Sequence, residues 1–434
     1  MSAPLFDAVT AHAKKQKVSM HMPAHKGKFP ALGGIQNFDI TEIPDTGSLE
    51  EAQAQKLFGS AATFMSAGGC TLCIQAMFRA AAPHGGKVVC GRVVHRSAVN
   101  AMSLLGIEPV WVLPDPSAGE LFSGRITAEG VRRALEKTPE AKAVYITSPD
   151  YFGVISDVKS IAAVAREFGV PLLVDCAHGA HLKFLEKDIS PLNFGAAMSA
   201  ESAHKTLPVL TGGAWLQIGD ESFVPEIRRA MALFGSTSPS YPIMISLDLA
   251  RDWLENNTDE FIRLSRRVKK TKKLCRSLGL ILPEGECDPT RIAFDVQNFG
   301  FDGADVGELL RAHGIEPEYA GLGKIILIPS VMNTEEDFER LDSALADIFS
   351  KAVPCGKTPI GVNAFLPRIS MTPREALLAE CEYKDIDSAL GRTAAEAYCP
   401  CPPAIPAAMP GEILGEREIE ELRRYGIFNI KVVK

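Results

Sequence analysis

The sequence predicts an α/β protein in which a large, doubly wound, mostly parallel sheet domain is followed by a smaller α+β domain. Three observations carry this reading. Short apolar runs such as Lys87-Val88-Val89-Cys90-Gly91-Arg92-Val93-Val94, Ala143-Val144-Tyr145-Ile146-Thr147 and Pro171-Leu172-Leu173-Val174-Asp175 read as buried strands. They alternate with helix-length segments such as residues 158–168, the pattern of βαβ units. At 434 residues the chain is also too long for one simple core. We expect an arm at 1–45, a large domain at 46–250 and a small domain at 251–434.

Composition narrows the function classes. With 46% hydrophobic and 23% charged residues the chain is ordinary globular protein, and a formal charge of −7 gives no reason to expect nucleic acid or an anionic membrane as partner. The ten cysteines are scattered. The nearest pairs, Cys70 with Cys73 and Cys399 with Cys401, lack a second pair to complete a zinc site, so no metal is expected and the thiols read as reduced, in a cytoplasm. No apolar run approaches the roughly 20 residues that span a bilayer, and no leader pattern opens the chain.

Taken in order, residues 2–19 form a helix by the spacing of Leu5, Val9 and Ala13, with Lys14, Lys15 and Lys17 towards its end. A turn-rich stretch from His21 to Gly34 follows, then a helix over 48–58 that opens on Ser48 as a cap. Residues 61–78 pass from a strand through Gly68-Gly69 into a helix, whose free N–H groups at Gly69, Cys70 and Thr71 can hold a phosphate. His95 ends the next strand, where its ring can stack on a flat cofactor.

Asp175 ends a later strand, and an aspartate there points into the ligand crevice of an open α/β sheet. One strand further on, Lys205 sits in Ser202-Ala203-His204-Lys205-Thr206-Leu207-Pro208 between apolar runs, partly desolvated and suited to form an imine. A carboxylate for a pyridinium nitrogen and an amine for a Schiff base are what pyridoxal phosphate needs.

Beyond Leu247 a single long helix is expected to about Arg276, its Lys269-Lys270-Thr271-Lys272-Lys273 run lying on a solvated face. Strands at 291–296 and 324–328 then alternate with helices at 305–313 and 334–350. The tail opens a capped helix at Thr372-Pro373 and enters the stiff Cys399-Pro400-Cys401-Pro402-Pro403-Ala404-Ile405-Pro406 segment.

Asp175-x-Ala177-His178-Gly179-Ala180-His181 and Ser202-x-His204-Lys205-Thr206-Leu207-Pro208 resemble the signature blocks of the ornithine/lysine/arginine decarboxylases, pyridoxal-phosphate enzymes of the aspartate-aminotransferase fold. The resemblance extends to His21-Met22-Pro23-Ala24-His25-Lys26-Gly27, Phe38-Asp39-Ile40-Thr41-Glu42, Ser236-Thr237-Ser238-Pro239-Ser240-Tyr241 and the Pro402 to Pro406 block, and so covers nearly the whole chain.

It implies decarboxylation of arginine, lysine or ornithine by a homodimer. Lys205 would hold the cofactor, Asp175 would serve as electrostatic partner of its ring nitrogen, and His95 would cover its face. Ala177 and His178 would lie beside the ring, with Ser202 and His204 near the phosphate or imine. His204 or Lys205 would return a proton to Cα, while Ser236 and Thr237 would reach the other subunit's phosphate. For the carboxylate that meets the substrate's distal cation, Glu396 is the first candidate and Asp45 the second, with Tyr151 near the site.

The chain departs from the family's pattern at Cys70, Asp150, Cys176, Ala203 and Ala404, and between Glu42 and Glu51 it is shorter by roughly ten residues, in a loop near the site mouth. Another pyridoxal-phosphate enzyme of the same fold, whether aminotransferase, lyase or racemase, is the alternative. A non-catalytic cofactor-binding homologue is the third reading, and the reaction product separates them.

Overall fold

The computed structural model describes residues 3–14, 38–39, 47–115, 121–356, 359–361 and 364–434. Seven strands form the large sheet: β1 (Ala62–Ser66), β2 (Gly86–Gly91), β3 (Ile107–Val112), β4 (Val144–Thr147), β5 (Leu172–Asp175), β6 (Met198–Glu201) and β7 (Ala214–Ile218). Their order is β1-β7-β6-β5-β4-β2-β3. Neighbours from β3 across to β6 run parallel, and β7 is antiparallel to both β1 and β6. Every residue of β4 and β5 is buried, which is why these strands read as unbroken apolar runs instead of alternating ones.

Helices cover both faces. Gly69–Ala81, Arg96–Leu105 and Val224–Phe234 pack one side through Ile74, Phe78, Met102 and Ile227. Ala128–Lys137 and Val158–Glu167 pack the other through Val131, Leu135 and Ile161. The chain winds from β2 to β3 in one direction and starts again at β4 on the other side of β2, so a crevice opens at the carboxyl ends of β2 and β4.

The antiparallel strands β8 (Ile292–Asp295), β9 (Tyr319–Gly321) and β10 (Lys324–Leu327) form a second sheet with β10 in the middle. Its core, built on Phe261, Phe294, Leu310, Ile325 and Phe349, is continuous with Trp215 and Leu247 of the large domain. Further along, β11 (Cys381–Asp385) pairs with β12 (Asn429–Val433) over a separate core that includes Ile386, Leu414, Leu422 and Val432.

Some expectations shift. The long helix expected from Leu247 is two helices, Tyr241–Leu254 and Asp259–Ser277. Asn257 donates from Nδ2 to the Trp253 carbonyl at 2.7 Å and closes the first, while Asp259 and Glu260 suit the positive start of the second. The helix expected to open on Ser48 begins at Gly47. The first helix is Pro4–Lys14, and it borrows its cap from elsewhere: the buried Asp248 accepts from the Leu5 N–H at 3.1 Å. The His25-Lys26 arm, Glu42 and Asp45 lie outside the described residues. Among the described residues no helix is long and apolar enough to cross a membrane.

Candidate active site

The carboxyl ends of the parallel strands bring the sequence candidates together. Asp175, 2% exposed, ends β5, and its carboxylate is held on both sides. Oδ2 accepts from the Tyr145 hydroxyl at 3.1 Å, and Oδ1 accepts from the Ala177 N–H at 3.1 Å. The phenol stays protonated, because burial and the adjacent Asp175 push its pKa well above the usual value, so it can only donate. Parallel pairing sets Thr147 opposite Asp175, and Tyr145, two residues earlier, therefore shares its face.

Lys205 stands on the single turn Ala203–Thr206 just beyond β6, the strand paired with β5. Its Nζ lies 3.1 Å from His178 Nε2. Burial, with Lys205 and Arg291 close by, holds the His178 pKa well below the usual value, so this ring is neutral. A neutral imidazole has one lone pair. The short contact gives that lone pair to Lys205, and Arg291 Nη2, at 3.4 Å from Nδ1, is a packing neighbour and not a donor to the ring.

His95 follows β2 at the cap of Arg96–Leu105, and its Nδ1 accepts from the Ser97 N–H at 3.2 Å and lies 2.8 Å from the Ser97 hydroxyl. Burial, which outweighs the opposing pull of Asp175, lowers its pKa. The ring is thus neutral, with its proton on Nε2. His204 donates its Nδ1–H to the Gly213 carbonyl at 3.0 Å, which leaves Nε2 outside that bond.

At the start of Gly69–Ala81 no side chain caps the helix. Gly69 adopts φ +66°, where a side chain would be strained, and its own N–H is taken by the Gly212 carbonyl at 2.8 Å. The amides of Cys70 and Thr71 remain at a positive helix end, as an anion requires. Cys70 is buried, lies within hydrogen-bond reach of Ser202, and stays a thiol because burial, then Cys73 and Asp175, raise its pKa well above the usual range.

Tyr151 also reaches this cluster. Its ring meets His178 edge-on at 4.9 Å between centroids, and its hydroxyl donates to Glu318 Oε1 at 2.6 Å. Arg291, 2% exposed, donates from Nη1 to the Tyr151 carbonyl at 3.2 Å. Nearby Asp150 is buried, accepts the Val154 N–H at 2.8 Å, and is raised by burial to a pKa of about 7. Cys401, on the proline-rich segment, is within electrostatic reach of Lys205 and Asp175.

Two groups of candidates are placed differently. Glu396 is engaged in the C-terminal unit, where it accepts from the Tyr398 hydroxyl at 3.0 Å. Ser236 and Thr237 are exposed, with the Ser236 hydroxyl donating only to its neighbour Ser238 at 3.2 Å. Sequence reasoning missed Tyr145, Arg291 and Glu318. Tyr145 had a signal, since period-two counting along its strand selects the Asp175 face. Arg291 and Glu318 come from the second domain, and nothing local marks them.

Comparison with known proteins matches the family model "Orn/Lys/Arg decarboxylase, major domain" over residues 40–279 and its C-terminal domain over 361–426. The arginine decarboxylase of Halalkalibacterium halodurans is 33% identical, over 97% of this chain and 92% of that one. The arginine decarboxylase of Bacillus subtilis is 32% identical, over 96% and 92%. Among solved structures, the lysine decarboxylase of Francisella novicida superposes with TM-score 0.81 at 18% identity, over 100% of this chain and 81% of that one. A structure of SPT with PLP has TM-score 0.60 at 14% identity, over 80% and 84%. These likenesses establish the fold expected from the sequence.

Proposed function

Since this chain belongs to the Orn/Lys/Arg decarboxylase family, we propose that it removes CO₂ from a basic amino acid, using pyridoxal 5′-phosphate held at Lys205. One observation carries the reading: a buried, doubly anchored Asp175 stands at the end of β5 and an amine, Lys205, just past the end of the adjacent parallel strand β6. The donor set fits the cofactor at each of its parts, with Asp175 for the ring nitrogen, the neutral His95 for its face, the uncapped helix start for the phosphate and Lys205 for the aldehyde carbon.

When bound, pyridoxal phosphate supplies the sink for the electron pair left at Cα as CO₂ departs. The chain's own groups do the rest. Asp175, aligned by the Tyr145 hydroxyl and the Ala177 amide, would face the ring nitrogen as an electrostatic partner that favours its protonated form, and not as a base. The Cys70 and Thr71 amides would hold the phosphate, with Ser202 beside Cys70. Lys205, or His204 once its Nε2 carries a proton, would return a proton to Cα.

We assign the substrate's distal cation to Glu318 in preference to Glu396, because Tyr151 fixes the Glu318 carboxylate at the side of His178 whereas Glu396 is bound to Tyr398. Glu318→Gln keeps a group for the Tyr151 hydroxyl and removes the charge. For an exposed pair about 4 Å apart this is worth about 1 to 2 kcal/mol, so KM for the cationic substrate should rise about 5- to 30-fold with little change in kcat. Steady-state kinetics reads it, and an unchanged KM returns the role to Glu396 or Asp45.

The reaction is tested by incubating the protein and pyridoxal phosphate with a mixture of amino acids and identifying products by mass spectrometry. The expected products are CO₂ and the amine of arginine, lysine or ornithine, arginine being first because relatives 32% and 33% identical bear that name. A keto acid would favour the aminotransferase alternative, and no product at all a non-catalytic homologue. All ten cysteines are free, as suits a cytoplasmic enzyme.

A further inference from the structure

The buried ion pair Arg92–Glu412 has no place in the chemistry above. Arg92, the first residue after β2 on the way to His95, is 0% exposed, and Glu412, in the C-terminal unit, is 3% exposed. The pair is bidentate: Nη1 donates to Oε1 at 2.8 Å and Nη2 to Oε2 at 3.0 Å. The guanidinium also lies over the Trp111 ring at 5.2 Å. Stability is a poor explanation for such a pair, because apolar residues of similar size would serve a core as well or better. What a planar, two-bond fork does provide is orientation.

The groups it orients are on the page. Glu412 Oε2 accepts the Met409 N–H at 3.0 Å, and Met409 packs into the core of the large sheet. Between Arg92 and His95, the Val94 N–H donates to the Ala404 carbonyl at 2.7 Å. Ala404 holds φ +61°, a left-handed conformation that costs a non-glycine residue of order 1 kcal/mol and persists only where its surroundings impose it. This strained residue sits on the segment whose Cys401 comes within electrostatic reach of Lys205 and Asp175. One short stretch, Arg92 to His95, thus carries both the ring-stacking histidine and two attachments to the C-terminal unit, one of them on the proline-rich segment itself.

We propose that Arg92 and Glu412 are positioning residues that lock the Cys399 to Pro406 segment against the strand end bearing His95, so that the C-terminal unit forms a fixed wall of the active site. The proposal rests on the active-site reading above. The lock touches no reacting atom, and it acts through the wall. Freeing a wall by about 1 Å can cost about 100-fold in rate even when the change lies far from the chemistry.

The test uses the full chain with Arg92→Lys, which keeps the charge and loses the fork, and with the isosteric Glu412→Gln, which keeps the volume and folds if the first does not. Two readouts are taken. Without substrate, iodoacetamide labelling followed by peptide mapping gives the reaction rate of Cys399, partly buried on the segment, against Cys73, 0% exposed in the large-domain core. With substrate, KM and kcat are separated.

In both variants Cys399 should label about tenfold faster while Cys73 does not, and KM should rise about tenfold or more with a smaller change in kcat. Labelling of Cys399 and Cys73 rising together would mean general loosening, and overturns the proposal. So would wild-type Cys399 reactivity in both variants. If the wild type decarboxylates no basic amino acid, the functional reading fails while the labelling arm still decides whether the segment is locked.

Discussion

Lys205→Ala should abolish decarboxylation, with a loss on the order of 10⁴-fold or more, because it removes the group that anchors the cofactor and one of two proton donors for Cα. Borohydride treatment of the wild type in the presence of pyridoxal phosphate should leave a pyridoxyl label on the peptide containing Lys205, absent from the variant. A label on another lysine with activity retained refutes the assignment. The same variant tests whether sites are shared between subunits. We propose a homodimer in which the exposed Ser236 and Thr237 of one chain complete the phosphate site of the other. Mixing Lys205→Ala chains with inactive Ser236→Ala/Thr237→Ala chains should then restore part of the activity through hybrid dimers, and no recovery on co-refolding argues against sharing.

Asp175→Asn should cost on the order of 10²- to 10³-fold in kcat, the usual loss when one preorganised electrostatic partner is removed from a catalytic site. The substitution is nearly isosteric and its site is buried, so cofactor retention and melting temperature should change far less than turnover. Its neighbour sharpens the test. The Tyr145 hydroxyl now donates to Oδ2, and Tyr145→Phe removes that bond while leaving the charge in place, so it should fall well short of the Asn variant. Equal losses in the two variants would mean that orientation, and not charge, is what Asp175 provides.

The placement of Asp175 and Lys205 at strand ends was legible because each position depends on local sequence. A short apolar run that stops on an aspartate reads as a buried strand ending at the crevice, and β5 is fully buried as that pattern requires. Gly68-Gly69 before a helix was legible for the same reason: φ +66° at Gly69 is a backbone demand that sequence records directly. The break between the helices at Leu254 and Asp259 was not, since the helical spacing runs through it and the deciding bond, from Asn257 to Trp253, is a side-chain cap that spacing does not report.

By itself, then, the sequence determined the alternation of strands and helices in the large domain, the glycine turn, and the carboxylate and amine at strand ends, since each follows from periodicity or backbone freedom over a few residues. Only the tertiary structure decided which distant groups meet them. Strand pairing set Tyr145 on Asp175 across 30 residues of chain, domain packing brought Glu318 to Tyr151 across 167, and the Arg92–Glu412 fork closed across 320. It also fixed the charge of His178, because the neutral state of that ring comes from burial beside Lys205 and Arg291, and burial is a property of the folded molecule and not of any stretch of sequence.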